Sequence, residues 1–282
     1  MYSENVLLFA GGLVGTILVS LVLSFFVALK EPLSELRKHF SFKNLKVIGY
    51  ALIASNIVNI FSFFQPMPMF TSVIHWIEGS SVVAFQYFTH PLLTVFFIFT
   101  YLVVYPVLMV LTYFKLHSLD NGSEMKYVGS YMLLIIVSAP FFYLLPVEVT
   151  GYYLPGVEPL LYEFHPIIYQ GITTIDPLTK ALPSLHTGMS VLAAIYAFKY
   201  TKNYRWPILG ATLAVIVSTF YLGVHWYSDA LLGAIMAFMT FYLVDRGIVT
   251  SKRVPDRVVD KVREFVENTP VLDKKNWREF NL

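Results

Sequence analysis

The chain has 282 residues, 56% of them hydrophobic and 13% charged, with 20 Lys and Arg against 18 Asp and Glu. A soluble domain carries roughly 25% charged residues, so the deficit points to a membrane protein and away from a nucleic-acid binder. The absence of cysteine excludes disulfides, iron–sulfur clusters and thiolate zinc sites.

A membrane-crossing helix needs about 20 mostly apolar residues. Seven stretches qualify, at about 5–29, 47–64, 92–114, 127–146, 184–200, 206–224 and 228–246. The first, opening MYSENVLLFAGG, lacks the basic flank of a cleaved signal peptide and is too long for one, so it reads as a retained span. Between the second and third, QPMPMFTSVIHWIEGSSVVAFQYFTHP is too broken by prolines and polar residues to cross and reads as interfacial or re-entrant structure. The longest loop, about 147–183, is rich in Tyr, Pro and Glu. It reads as a segment lying flat on the membrane, shaping an acceptor or headgroup site. The last three spans are short and joined by tight turns, YTKNYRW and GVHWYS. The expectation is an all-α polytopic membrane helix bundle, with one integral membrane domain over 1–246 and a charged cytoplasmic tail over 247–282.

Basic residues collect in cytoplasmic loops. Lys30, Arg37, Lys38, Lys43 and Lys46 follow the first span; Lys115 and Lys126 follow the third; Lys199, Lys202 and Arg205 follow the fifth. The nine from Arg246 onward follow the seventh. With the N-terminus outside, nineteen of the twenty cations face the cytoplasm and only Lys180 does not. The predicted location is the cell membrane.

Alone, Lys180 would pass for an interfacial lysine with its head in water. It stands, however, beside ALPSLHTGMS, where Ser184, Leu185 and His186 open the fifth span. Unpaired N–H groups and the helix dipole at such a start favour an anion, so lysine, hydroxyl and helix terminus together suit a phosphate. Simple N-capping by Ser184 is the alternative, and the two are compatible. On the same predicted face, STFYLGVHWYSDALLGA carries His225 and Asp229, four residues apart and on one helical face if the register holds. A carboxylate can hold one imidazole nitrogen's proton and free the other for attack. Taken alone, that pair equally fits interfacial polar residues at a turn. Two histidines, a carboxylate and an anion cradle make a nucleophile, acid and orienter. A zinc site of the same three residues competes, but it lacks H-E-x-x-H spacing and leaves Lys180 and Ser184 without a role. His75, His90 and His165 read as interfacial hydrogen-bonding residues, Trp76 and Trp226 as part of an aromatic belt. Glu148, Glu158, Glu163 and Asp176 would repel phosphate unless they meet sugar hydroxyls.

The run PSLH, followed by S-T-x5-H-x3-D, resembles the second and third motifs (PSGH and SRxxxxxHxxxD) of the type 2 phosphatidic acid phosphatase superfamily. The resemblance covers roughly 125–246 and implies a six-helix core from spans two to seven, with span one as an addition. It implies that His225 is the nucleophile forming a phosphohistidine, that Asp229 orients it and that His186 protonates the departing alcohol. Ser184 and backbone amides near Leu185 would hold phosphate oxygens. Leu185 stands at the motif glycine, Thr219 at the motif arginine, and YLLPVEV replaces the basic first motif. PSLH and YLGVHWYSD are closer to the inositolphosphorylceramide-synthase-like branch, which moves a phosphoinositol headgroup between lipids. The substrates implied are a phospholipid, with a lipid alcohol as acceptor, or a phosphatidate or polyprenyl (di)phosphate that is hydrolysed. No cofactor or metal is implied. A lipid-binding or transport protein with a degenerate site is the alternative from another class.

Overall fold

The computed structural model describes residues 2–24 and 69–249. Ten helices follow in order among them: α1 (Tyr2–Ser24), α2 (Thr71–Glu78), α3 (Pro91–His117), α4 (Ser123–Leu144), α5 (Thr150–Tyr153), α6 (Leu160–Glu163), α7 (Pro166–Ile175), α8 (Leu185–Tyr200), α9 (Arg205–Tyr221) and α10 (Tyr227–Asp245). One 3-10 turn, Ser81–Gln86, lies between α2 and α3, and the β-structure of the described residues is a single isolated bridge, Val147 to Lys180. Among the described residues, three helices are long and apolar enough to cross a membrane: α3, α4 and α10. Gly11–Val22 and Arg205–Tyr221 are shorter apolar helices. Helices thus occur at six of the seven expected stretches. The expected span 47–64, the basic residues Lys30 to Lys46 and the tail from 250 lie outside the described residues.

Local chemistry sets where these helices start. α3 and α7 each begin with His-Pro: proline's missing N–H costs nothing at the first helical position, and the preceding histidine caps the end. His90 Nδ1 accepts from Leu92 N–H and His165 Nδ1 from Ile167 N–H, both at 3.2 Å. The roles of these two histidines are therefore helix caps. Ser184 caps α8 by accepting from Thr187 N–H at 3.2 Å. At α10, Asp229 reaches back to accept from Trp226 N–H at 2.8 Å.

α8 is the central helix, packed on α3, α4, α9 and α10, and it is buried along much of its circumference through Thr187, Met189, Leu192, Ala193, Tyr196 and Ala197. Small residues bring α8 and α10 together. A methyl group on Gly233 would overlap the Ser184 carbonyl, and one on Gly188 would sit 3.0 Å from the Gly233 carbonyl. That proximity lets Ser184 N–H donate to the Asp229 carbonyl at 2.9 Å, tying the start of one helix to the start of the other. At the far ends of the same helices, Lys199 of α8 pairs with Asp245 of α10, and Lys126 from the first turn of α4 joins it at 3.4 Å. The basic residues Lys126 and Lys199 thus gather one helix length from Asp229.

The segment between α4 and α8 folds back over the α9–α10 turn. Val147 and Val149 N–H groups donate to the Thr179 and Leu178 carbonyls, Gly151 N–H to Gly223 at 2.8 Å, and Leu161 N–H to Leu222 at 3.4 Å. The indole N–H of Trp226 donates to the Glu148 carbonyl at 2.8 Å. Trp226 is consequently 0% exposed, a core residue rather than a member of an aromatic belt, whereas Trp76 is 86% exposed. The physical reason is that a polar loop backbone beside an apolar bundle must find partners, and the turn carbonyls at 222 and 223 supply them.

Candidate active site

α8 carries His186 on its first turn, and the turn ending α9 carries His225. Gly223, at φ +73°, makes that turn, and a Cβ there would fall 2.6 Å from the Glu158 carbonyl oxygen, so no side chain fits. Thr219 is fully buried; its carbonyl accepts from the Val224 and His225 N–H groups at 3.0 and 3.2 Å, and its hydroxyl donates to Ile216. It therefore stands behind the nucleophile candidate and holds its backbone.

The two imidazoles come together with ring centroids 6.1 Å apart. His225 Nδ1 lies 3.3 Å from Asp229 Oδ2, the same oxygen that accepts from Trp226 N–H. Asp229 is 0% exposed, and its Oδ1 has no hydrogen-bond partner among the described residues. Both histidines line one cavity of about 290 Å³, together with Lys180, Asp176, Leu185 and Tyr101. Ser184 and Thr219 are not among its lining residues. Lys180 is buried, pairs with Asp176 at 3.2 Å and lies over the Phe142 ring at 4.6 Å. Among the described residues no three His, Cys, Asp or Glu side chains are grouped so as to hold a metal ion.

Three features of this site are not visible in the motifs. His186 is stacked on Tyr101 at 4.1 Å and touches Tyr105 at 4.3 Å, both from α3. The helix runs through a π-type turn at Thr100–Val104, a local widening often found at functional sites. The i, i+4 spacing of two tyrosines is the sequence signal that was available. Asp176 enters the cavity as the partner of the lysine. Glu78, at the end of α2, accepts from Ser228 N–H at 2.9 Å and from its hydroxyl at 3.0 Å, one residue from Asp229.

Burial raises the pKa of Glu78 above the ordinary carboxylate value, opposed by the Ser228 hydrogen bonds and reinforced by the charge of Asp229. The folded state therefore holds the Glu78 proton more tightly than the unfolded chain does. Stability from this group is present below the ordinary carboxylate range and declines as pH rises through the raised pKa. Glu78→Gln keeps an acceptor for Ser228 and removes the titration. Its thermal midpoint should lose that part of the acid-range slope; a slope identical to wild type would show that Glu78 does not titrate with folding.

Residues 125–253 match the PAP2 superfamily. The match covers just under half of the chain and contains Lys180, Ser184, His186, Thr219, His225 and Asp229. It fits a phosphatase or phosphotransferase acting on lipid phosphates, in a protein whose α3, α4 and α10 are long and apolar enough to span a membrane. No curated protein and no solved structure matches the chain. Tyr101, Tyr105 and Glu78, which buttress the site, lie outside the superfamily region.

Proposed function

We propose that the protein is an integral membrane enzyme that breaks a phosphate ester of a lipid through a phosphohistidine on His225. The observation that carries this reading is the pair of imidazoles 6.1 Å apart on one cavity, one of them tied to a buried carboxylate. His225 Nε2 attacks phosphorus while Nδ1 keeps its proton toward Asp229, which stabilises the developing imidazolium. The ester P–O bond breaks and His186 donates a proton to the departing oxygen. Water or an acceptor hydroxyl then attacks the phosphohistidine, His186 takes its proton, and the P–N bond breaks. Lys180 and the N–H groups at the start of α8 balance charge on the non-reacting oxygens. Tyr101 and Tyr105 hold the His186 ring in place.

The charge in the cavity bears on the substrate. A phosphomonoester carries about −1.5 to −2 at neutral pH and a phosphodiester −1. Lys180 is already paired with Asp176, so the pair adds little net positive charge. This favours a phosphodiester lipid, in keeping with the inositolphosphotransferase-like motifs. Lys126 and Lys199 lie at the opposite helix ends, which supports a site on the extracytoplasmic face and a cytoplasmic C-terminus.

Mass spectrometry of products from a phospholipid panel, with and without a lipid alcohol, tests this. Headgroup release or transfer from a phosphodiester lipid should exceed phosphate release from phosphatidate by about tenfold, the scale of one uncompensated charge contact. Comparable rates on both would overturn the diester preference.

A further inference from the structure

The superfamily match begins at residue 125, yet the catalytic cavity is not closed by that region alone. Leu13 and Ile17 of α1, and Tyr101, Leu102 and Tyr105 of α3, form much of its wall. A second cavity, of about 330 Å³, lies on the other side of Leu13 and Leu102, which line both. Its wall is built by Gly12 and Thr16 from α1, Val95, Ile98, Phe99 and Val103 from α3, Phe164 ahead of α7 and Ile168 within it. The one hydroxyl there, of Thr16, donates to the Gly12 carbonyl of its own helix at 2.8 Å. The surface it presents is therefore apolar. Val95, Phe99 and Phe164 are 49%, 44% and 47% exposed, so the apolar lining continues to the outside of the bundle.

We infer that this second cavity takes the hydrocarbon chain of the substrate lipid, with α1 as one wall of the chain site. The inference rests on the phosphoester reading of the adjoining cavity. A polar headgroup at the histidines and an apolar slot reached past Leu13 and Leu102 suit one amphipathic molecule. The open side, lined by Val95, Phe99 and Phe164, lets the chain enter sideways from the hydrocarbon layer, where an apolar rim costs nothing. The π-type turn Thr100–Val104 serves both cavities: Tyr101 stacks on His186 while Leu102 and Val103 face the chain site.

Gly12 supplies the test, because a Cβ there meets nothing within 4 Å and a large side chain can be added without a backbone clash. The measured quantity is the ratio of kcat/KM for a long-chain to a short-chain, water-soluble phosphodiester of the same headgroup. Gly12→Phe should lower that ratio by about tenfold, the loss expected when two or so methylenes no longer find a site. Gly210→Phe, the same change at an exposed glycine of α9 outside both cavities, should leave it unmoved. A ratio unchanged in Gly12→Phe, or shifted equally in both variants, overturns the proposal. In parallel, a long-chain alkyl phosphate with a photoreactive group at the chain end should label wild type within residues 12–16, 95–103 or 164–168; labelling confined elsewhere overturns it. A wild type inert on both esters yet labelled at these positions keeps the chain site and removes the phosphoester reading. An active wild type labelled elsewhere does the reverse.

Discussion

His225→Ala is expected to lower turnover by about 10³-fold or more, because the nucleophile is lost and no neighbouring group replaces it. The residual rate would come from binding and charge balance alone. The two histidines should differ in kind as well as in degree. With a labelled phosphoester, His225→Ala should form no acid-labile phosphoenzyme. His186→Ala loses a general acid, worth about 10² to 10⁴-fold, and that loss should shrink on an ester whose leaving group needs no proton. It should also accumulate the phosphoenzyme, since the same residue is needed to activate the second nucleophile. Turnover retained in His225→Ala, or equal rescue of both variants by a good leaving group, would remove the assignment of roles.

Gly233→Val should have the next largest effect, although the residue touches neither cavity. Even a methyl group at this position overlaps the Ser184 carbonyl, which is helix backbone and cannot rotate away. α8 and α10 must separate, and overpacking of this sort costs about 1–3 kcal/mol. Separation also loosens the Ser184 N–H to Asp229 carbonyl bond, which couples the helix of His186 to that of Asp229. Displacements near 1 Å cost about 10²-fold in rate. The variant should therefore show a lower unfolding midpoint together with a fall in kcat of that order. A protein that unfolds earlier but turns over normally would show that the glycine contact serves stability alone.

Much of the site was legible in local spacing. Asp229 follows His225 by four residues, but His225 stands in the turn before α10, so the chain reversal ahead of Trp226 and not a continuous helix register brings its ring to 3.3 Å from Asp229. Ser184 precedes an apolar run, and it does cap α8. His90 and His165 each precede a proline at the first helical position, the local pattern of a cap, and each does cap its helix. Trp226 is buried for a different reason. Nothing local separates a belt tryptophan from one buried under a loop that arrives from residue 148.

By itself the sequence determined the apolar, membrane-protein composition, the positions of the described apolar helices and the candidate side chains of the proposed site. Those properties depend on composition, helix length and spacings of a few residues, which are local. Only the tertiary structure decided that Tyr101 and Tyr105 stack on His186, that Asp176 shares the cavity with Lys180, that Glu78 holds Ser228, and that α1 closes the wall. Most of these contacts join residues far apart in the chain. They exist because α3 packs on α8, α2 on α10 and α1 on α3, pairings that no periodicity encodes.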